Sequence, residues 1–285
     1  NCHFSCAETS VRKQYDIAMK PLIHFAHANG VPSKVYQKLF DGLQDDYDII
    51  YVPLLGPDKR YPVDNHWKSL TQQVIDSIVR QSKGRPVIGL GHSLGSVLTF
   101  QATLQRPELF SQMIMLDPPM IMGKEAFALH LAKTLRLKAL DRMSPAGLSK
   151  RRRDHWDSRE QAAELLRPKG FYQDFDADCF QAYIEHALQD DPIRGGVELT
   201  IPKKDEVAVF RTNPSLWWLP QAKPKVPVHL VVAEQGPFLA RKFPQQVEKK
   251  FGIPFTVVEG GHMFPLEQPD QVADLVKQLI QQQSV

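Results

Sequence analysis

The chain has 285 residues, with 35 Lys+Arg against 32 Asp+Glu for a formal charge of +3, and 42% of its residues are apolar. That length supplies a full hydrophobic core, and the composition excludes a collagen-like, disordered or disulfide-stapled protein. No apolar run reaches the ~18 residues of a membrane span, so no stable membrane insertion is expected, and so small a net charge argues against nucleic acid as a partner.

Cys2, Cys6 and Cys179 cannot form a disulfide framework and read as free thiols of a reducing compartment, which points to the cytoplasm. Cys2-His3-x-x-Cys6 lacks a second ligand pair, and the ten histidines include no HExxH, so no metal is expected. The first 20 residues carry Glu8, Arg12, Lys13, Asp16 and Lys20 with no apolar stretch after a basic start, unlike a signal peptide.

In chain order, Pro21–Ala26 is a short apolar run that suits a buried strand, and Ser33–Leu43 reads as a helix. Tyr47–Pro53 is a second strand. Trp67, Leu70, Val74 and Ile78 fall on one face of a helix over 67–82. Pro86–Gly91 is a third strand, which turns into an amphipathic helix over 94–105, and Ser111–Asp117 is a fourth. After a gap, Val226–Ala233 and Ile253–Val258 read as strands. They alternate with helices over 237–251 and 268–283, the last with Val272, Leu275, Val276 and Leu279 on one face. Strands separated by helices predict an α/β fold, a doubly wound and mostly parallel sheet covered on both faces. The alternation fails between 118 and 222, a charged, helix-like stretch broken by prolines. The expected organisation is therefore a core of residues 1–117 and 223–285 interrupted by a helical cap over 118–222.

The chemistry concentrates at Gly91-His92-Ser93-Leu94-Gly95, a G-x-S-x-G pattern between a strand and a helix. Its glycines permit a strained turn that exposes Ser93, and the helix start offers backbone N–H groups. A serine hydroxyl needs a base to become a nucleophile. Gly260-Gly261-His262 follows the last strand directly, so His262 should reach the same sheet edge as Ser93.

Gly-His-Ser-Leu-Gly, the upstream His27-Ala28-Asn29-Gly30-Val31-Pro32 and the downstream Gly-Gly-His together resemble the α/β-hydrolase superfamily. The resemblance covers residues ~20–117 and ~224–285, and it implies the α/β-hydrolase fold with 118–222 as its variable cap. By that resemblance Ser93 is the nucleophile and His262 the general base. The oxyanion hole takes the N–H of Leu94 and one donor from the 27–32 loop, for which Val31 is the expected residue because Pro32 has no N–H. His24 and His27 read as hydrogen-bonded structural histidines.

The acid departs from the family pattern. Where members carry Gly-Glu-x-Asp-Pro, this sequence has Ala233-Glu234-Gln235-Gly236-Pro237, with glycine at the aspartate position. Asp117, at the end of the strand after the nucleophile helix, is the expected replacement, and Glu234, two residues before the usual place, is the alternative. Met120, Met122 and Trp217 are the expected substrate-pocket residues.

Serine at the elbow fits acyl transfer through an acyl-enzyme. The expected activity is that of a serine esterase or lipase-like hydrolase on a fairly apolar small-molecule acyl substrate, with no cofactor. Hydrolysis of a carbon–carbon bond, or cofactor-free perhydrolysis, uses the same fold and nucleophile. A non-catalytic ligand-binding protein is the reading that Gly236 suggests. The sequence leaves the oligomeric state open. Within the cap, residues 124–153 hold nine basic and two acidic groups and 154–206 hold six and thirteen, so two halves of charge +7 and −7 are expected to attract each other in a salt-sensitive latch.

Overall fold

The structure, a computed structural model, describes residues 19–136 and 140–284. Cys2, Cys6 and the rest of the first 18 residues, with the sequence expectations placed on them, lie outside the described residues.

From the start, β1 (Leu22–Ala26) is followed by a 3₁₀ turn and α1 (Gln37–Asp41), then β2 (Asp48–Tyr51), α2 (Lys68–Ser82), β3 (Val87–His92), α3 (Leu94–Gln105) and β4 (Phe110–Leu116). Next come α4 (Gly123–Thr134), α5 (Leu140–Met143), α6 (Ala146–Arg151), β5 (His155–Trp156), α7 (Arg159–Leu166), α8 (Ala177–His186), β6 (Leu188–Asp190), β7 (Val197–Leu199) and α9 (Lys203–Arg211). The chain closes with β8 (Val228–Ala233), α10 (Phe243–Phe251), β9 (Phe255–Val258), α11 (Phe264–Glu267) and α12 (Pro269–Gln283).

Six strands form one sheet in the order β2-β1-β3-β4-β8-β9, and every neighbouring pair is parallel. Alternate residues of each strand serve opposite faces, as a pleated strand buried on both sides requires. Ile23, Phe25, Ile88, Leu90, Ile114, Leu116 and Val231 join one apolar cluster with Leu39, Val272 and Leu279. Leu22, Ala26, Val87, Met113, Met115, Leu230 and Val232 join the other, with Leu70, Val74, Phe100 and Phe251. The sheet is therefore doubly wound, with α1 and α12 on one face and α2, α3 and α10 on the other. From β1 the chain goes to β2 on one side and returns to β3 on the other. The loops leaving β1 and β3 meet there, at the carboxyl ends of the strands where the strand order reverses. One local expectation fails: α3 is not amphipathic, since Leu94 through Thr103 are all buried. It is the central helix of its layer, enclosed by the sheet, α2 and the Phe251 and Trp218 rings.

Between β4 and β8 the chain leaves the sheet and forms α4–α9 together with a three-stranded antiparallel sheet, β5-β7-β6. The sequence predicts helices alone in this stretch, because strands of two or three residues are too short to show a period. Described residues of this segment pack into the core of the main sheet. Trp156, Leu166, Tyr172, Phe175 and Tyr183 belong to the same cluster as Ile23 and Val276. The salt-sensitive latch is not what holds it. Among the described residues one ion pair joins the basic half to the acidic half, Arg152–Glu206 at 2.8 Å, and both side chains are largely buried, where salt screens weakly. The acidic half instead reaches the core, with Lys38 Nζ 2.9 Å from both Asp176 and Asp178. Among the described residues no helix is long and apolar enough to cross a membrane.

Candidate active site

Ser93 occupies the turn from β3 into α3 with φ +52° and ψ −115°, a conformation that L side chains rarely adopt. The flanking glycines are required by close approach. A β-carbon on Gly91 would lie 2.5 Å from the Gly95 carbonyl carbon, and one on Gly95 would overlap the Ala26 carbonyl at the end of β1. The turn is pinned by Ser93 N–H donating to Leu116 O at 2.9 Å and by the Ser96 side chain bridging Gly91 O and the Leu116 backbone.

Asp117 follows β4 with φ +44° and is completely buried. Its N–H donates to Val231 O, and its Oδ1 accepts the N–H of Ala233 at 3.0 Å, so the carboxylate lies across the ends of β4 and β8. Oδ2 then accepts a hydrogen bond from His262 Nδ1 at 2.5 Å. His262 Nε2 is 2.9 Å from Ser93 Oγ, which donates to it. Ser93, His262 and Asp117 thus stand in one hydrogen-bonded line. Glu234 is exposed, and among the described residues its side chain bonds to nothing in this line. Of the two candidate acids, Asp117 is the one hydrogen-bonded to His262.

Two groups around His262 escaped the sequence reading. Glu267, on α11, accepts the Gly261 N–H at 2.9 Å and packs against the Cα of Gly260 and Gly261, which fixes the loop that carries the imidazole. Its carboxyl is pushed up from the usual range by burial. The Phe238 ring meets the His262 ring edge-on at 5.5 Å between centroids. A carboxylate six residues after Gly261 and a phenylalanine in a loop give no spacing signal in sequence.

The loop after β1 corrects one assignment. Val31 N–H donates to Ala28 O at 3.1 Å, closing a tight turn that Gly30 permits at φ +76°, and is thereby consumed. Ala28 N–H donates to the Tyr36 hydroxyl. Among the described residues the N–H groups of Asn29, Gly30 and Leu94 have no acceptor. The loop is held against the start of α3 by Gly95 N–H donating to His27 O at 3.1 Å. Val31 is therefore excluded as the loop donor, and the N–H groups of Asn29 and Gly30 remain available beside that of Leu94. The histidines of β1 and the loop are structural. His27 Nδ1 donates to Ala28 O and its Nε2 accepts the Leu55 N–H, while His24 Nε2 bonds Ser77. Burial pushes them down to about 4 and about 3.

The expected pocket residues are packed. Met120 and Met122 are buried in the cluster with Val97, Phe100 and Trp218. The space Met120 shares with Asp117, Phe238 and Val247 is about 10 Å³, room for one water and not for an acyl chain. Trp217 is partly buried and packs edge-on against Trp218 at 5.1 Å. Among the described residues no group of three His, Cys, Asp or Glu is placed to hold a metal ion.

With this geometry in place, residues 25–275 of the chain match the model of a known family. The chain belongs to the alpha/beta hydrolase family. It is 23% identical over 181 residues to the Type I acyl-CoA thioesterase mpaH of Penicillium brevicompactum, covering 58% of this chain and 39% of that one. It is 33% identical over 112 residues to the Abhydrolase domain-containing protein AKT2 of Alternaria alternata, covering 38% and 35%. The chain spans less than half the length of these curated relatives. Among solved structures it is similar to E-2-(acetamidomethylene)succinate hydrolase, with TM-score 0.71, 20% identity and 92% of each chain covered. It is also similar to the thioesterase domain from the curacin biosynthetic pathway, with TM-score 0.67, 18% identity and 90% of each chain covered. At these identities the likeness to solved structures is one of fold. Within the alpha/beta hydrolase family, this chain is a member whose buried carboxylate beside the histidine follows β4 instead of β8.

Proposed function

We propose that this protein is a serine hydrolase that cleaves a carboxylic ester or thioester of a fairly apolar substrate through an acyl-enzyme. The observation that carries the proposal is the line Ser93 Oγ–His262–Asp117, with bonds of 2.9 and 2.5 Å. In the first half-reaction Ser93 Oγ bonds the substrate carbonyl carbon while its proton passes to His262 Nε2. Asp117 keeps the Nδ1–H tautomer and stabilises the imidazolium that forms. The carbonyl electron pair moves onto oxygen, which the N–H of Leu94 and that of Asn29 or Gly30 receive. Collapse of this intermediate re-forms the carbonyl and expels the alkoxide or thiolate, which takes the proton from His262. Water then gives a proton to His262, attacks the acyl-enzyme, and releases the acid as Ser93 recovers its hydrogen.

The relatives named as thioesterases support the acyl chemistry. Asp117 beside Gly236 also removes the reason to read the site as decayed. Hydrolysis of p-nitrophenyl esters and acyl thioesters, compared between wild type and Ser93→Ala, tests the reading. The variant should lose essentially all turnover. Equal rates in the two proteins would refute it.

A further inference from the structure

His92 is the residue before Ser93, and the acyl-transfer steps above do not use its side chain. The ring is fully buried. Nε2 lies 2.9 Å from the backbone oxygen of His262, and Nδ1 lies 2.7 Å from the Tyr36 hydroxyl. The Tyr36 oxygen is in turn 3.3 Å from the Ala28 nitrogen. Only one set of directions satisfies all three contacts. A carbonyl can only accept, so Nε2 carries the proton and donates to His262 O. Nδ1 then offers a lone pair, so Tyr36 O–H donates to it. The Tyr36 oxygen is left to accept the Ala28 N–H. Burial, reinforced by the neighbouring His262, holds the His92 imidazole well below its ordinary value, so the ring stays neutral and this tautomer persists.

The two ends of this chain are the segments that the proposed reaction needs in register. One end is the main chain of His262, which follows two glycines and has little rigidity of its own. The other is Ala28, which precedes Asn29. Tyr36 and His92 belong to a 3₁₀ turn and a central strand, both enclosed by core. We propose that Tyr36 and His92 form a positioning relay that fixes the His262 main chain and the 27–31 loop in one frame, so that the base and the oxyanion donors keep their places around Ser93. The proposal rests on the serine-hydrolase reading. It makes His92 and Tyr36 positioning residues, since neither touches the reacting atoms.

The test uses the full chain with His92→Leu, His92→Gln, Tyr36→Phe and the double variant Tyr36→Phe/His92→Leu. Each is assayed for kcat and KM on a p-nitrophenyl ester and for Tm. His92→Leu and Tyr36→Phe should lower kcat by roughly 10- to 100-fold with KM changed less than about threefold, as misplacement by a fraction of an ångström does. Glutamine at 92 supplies an N–H donor and an oxygen acceptor with the same polarity as the ring, and should recover kcat to within about fivefold of wild type. The double variant should be no slower than the slower single one, because both changes cut one chain. Leucine and glutamine giving the same kcat, whether near wild type or equally low in step with Tm, would overturn the relay. Imidazole ¹⁵N spectra of the wild type provide a reading that needs no turnover. A neutral Nε2–H ring at His92 is expected, and an Nδ1–H ring would overturn the relay. A wild type that hydrolyses nothing would count against the serine-hydrolase reading, while the spectra still decide the hydrogen-bond chain.

Discussion

The Cα of Gly236 faces the carboxylate of Asp117, and a β-carbon at 236 would lie 3.1 Å from Oδ2. The space that a side chain at 236 would enter is already filled by an acid that arrives from another strand. The Ala233 side chain, 2.9 Å from the same β-carbon, bounds that space as well.

That exclusion yields a prediction about the acid. Asp117→Asn should lower kcat by about 10³- to 10⁴-fold, the cost of losing the group that sets the histidine tautomer. The exposed Glu234→Gln should stay within about twofold of wild type. In an Asp117→Ala background, Gly236→Asp delivers a carboxylate into the vacated space and should regain about tenfold or more. Steady-state kinetics on one ester substrate checks all three.

The glycine at 95 is a structural requirement of the elbow. A methyl group there overlaps the Ala26 carbonyl and forces α3 away from β1. Gly95→Ala should therefore cost about 3 kcal/mol or more of stability, from overpacking in a site with no room to relax. Urea unfolding measures it, and a loss below about 1 kcal/mol would mean that the helix and strand are less tightly apposed.

Most of the fold is legible in the sequence, and the reason is burial. Strands enclosed on both faces, such as Val87–His92 and Val228–Ala233, read as continuous apolar runs, and α2 and α12 show a single apolar face. Ser93 and His262 are legible because their glycines mark turns. What could not be read depends on pairings distant in sequence. Whether the Val31 N–H is free depends on a turn closed by Ala28, and the choice of Asp117 over Glu234 depends on the Ala233 N–H and the space at Gly236. That Met120 and Met122 pack in one cluster with Val97 and Phe100 likewise depends on contacts distant in sequence.

The Arg152–Glu206 pair should behave as a buried lock between the segment after β4 and the 27–31 loop. Glu206 also accepts a hydrogen bond from Ser149, its backbone oxygen accepts the Asn29 side-chain amide, and its side chain lies against Gly30. Glu206→Gln leaves the Arg152 charge largely buried without its partner and should cost about 3–5 kcal/mol. Raising the salt concentration should change the wild-type Tm little, because the pair is shielded from solvent ions. Differential scanning calorimetry at two salt concentrations checks both points.

Stability should fall in mild acid because three buried histidines stay neutral in the fold. His24 and His27 are pushed down to about 3 and about 4, and His92 lies well below its ordinary value, all by burial. In the unfolded chain each titrates near ~6.5. Between those limits the unfolded chain binds more protons, so the stability present above pH ~6.5 is lost as the pH falls towards 4. The slope should approach ~1.4 kcal/mol per pH unit for each histidine, and His24→Gln should remove one such increment. Urea midpoints at pH 7, 6 and 5 measure it, and a stability unchanged down to pH 5 would contradict neutral burial.

The central claim is that Ser93 is a nucleophile activated by His262. Labelling with a fluorophosphonate, followed by mass spectrometry of the modified peptide, tests it most directly. The wild type should carry one phosphonyl group, on Ser93. Ser93→Ala should carry none, and His262→Ala should label at least about 10³-fold more slowly. A wild type that does not react, or a label on another residue that survives Ser93→Ala, would contradict the claim.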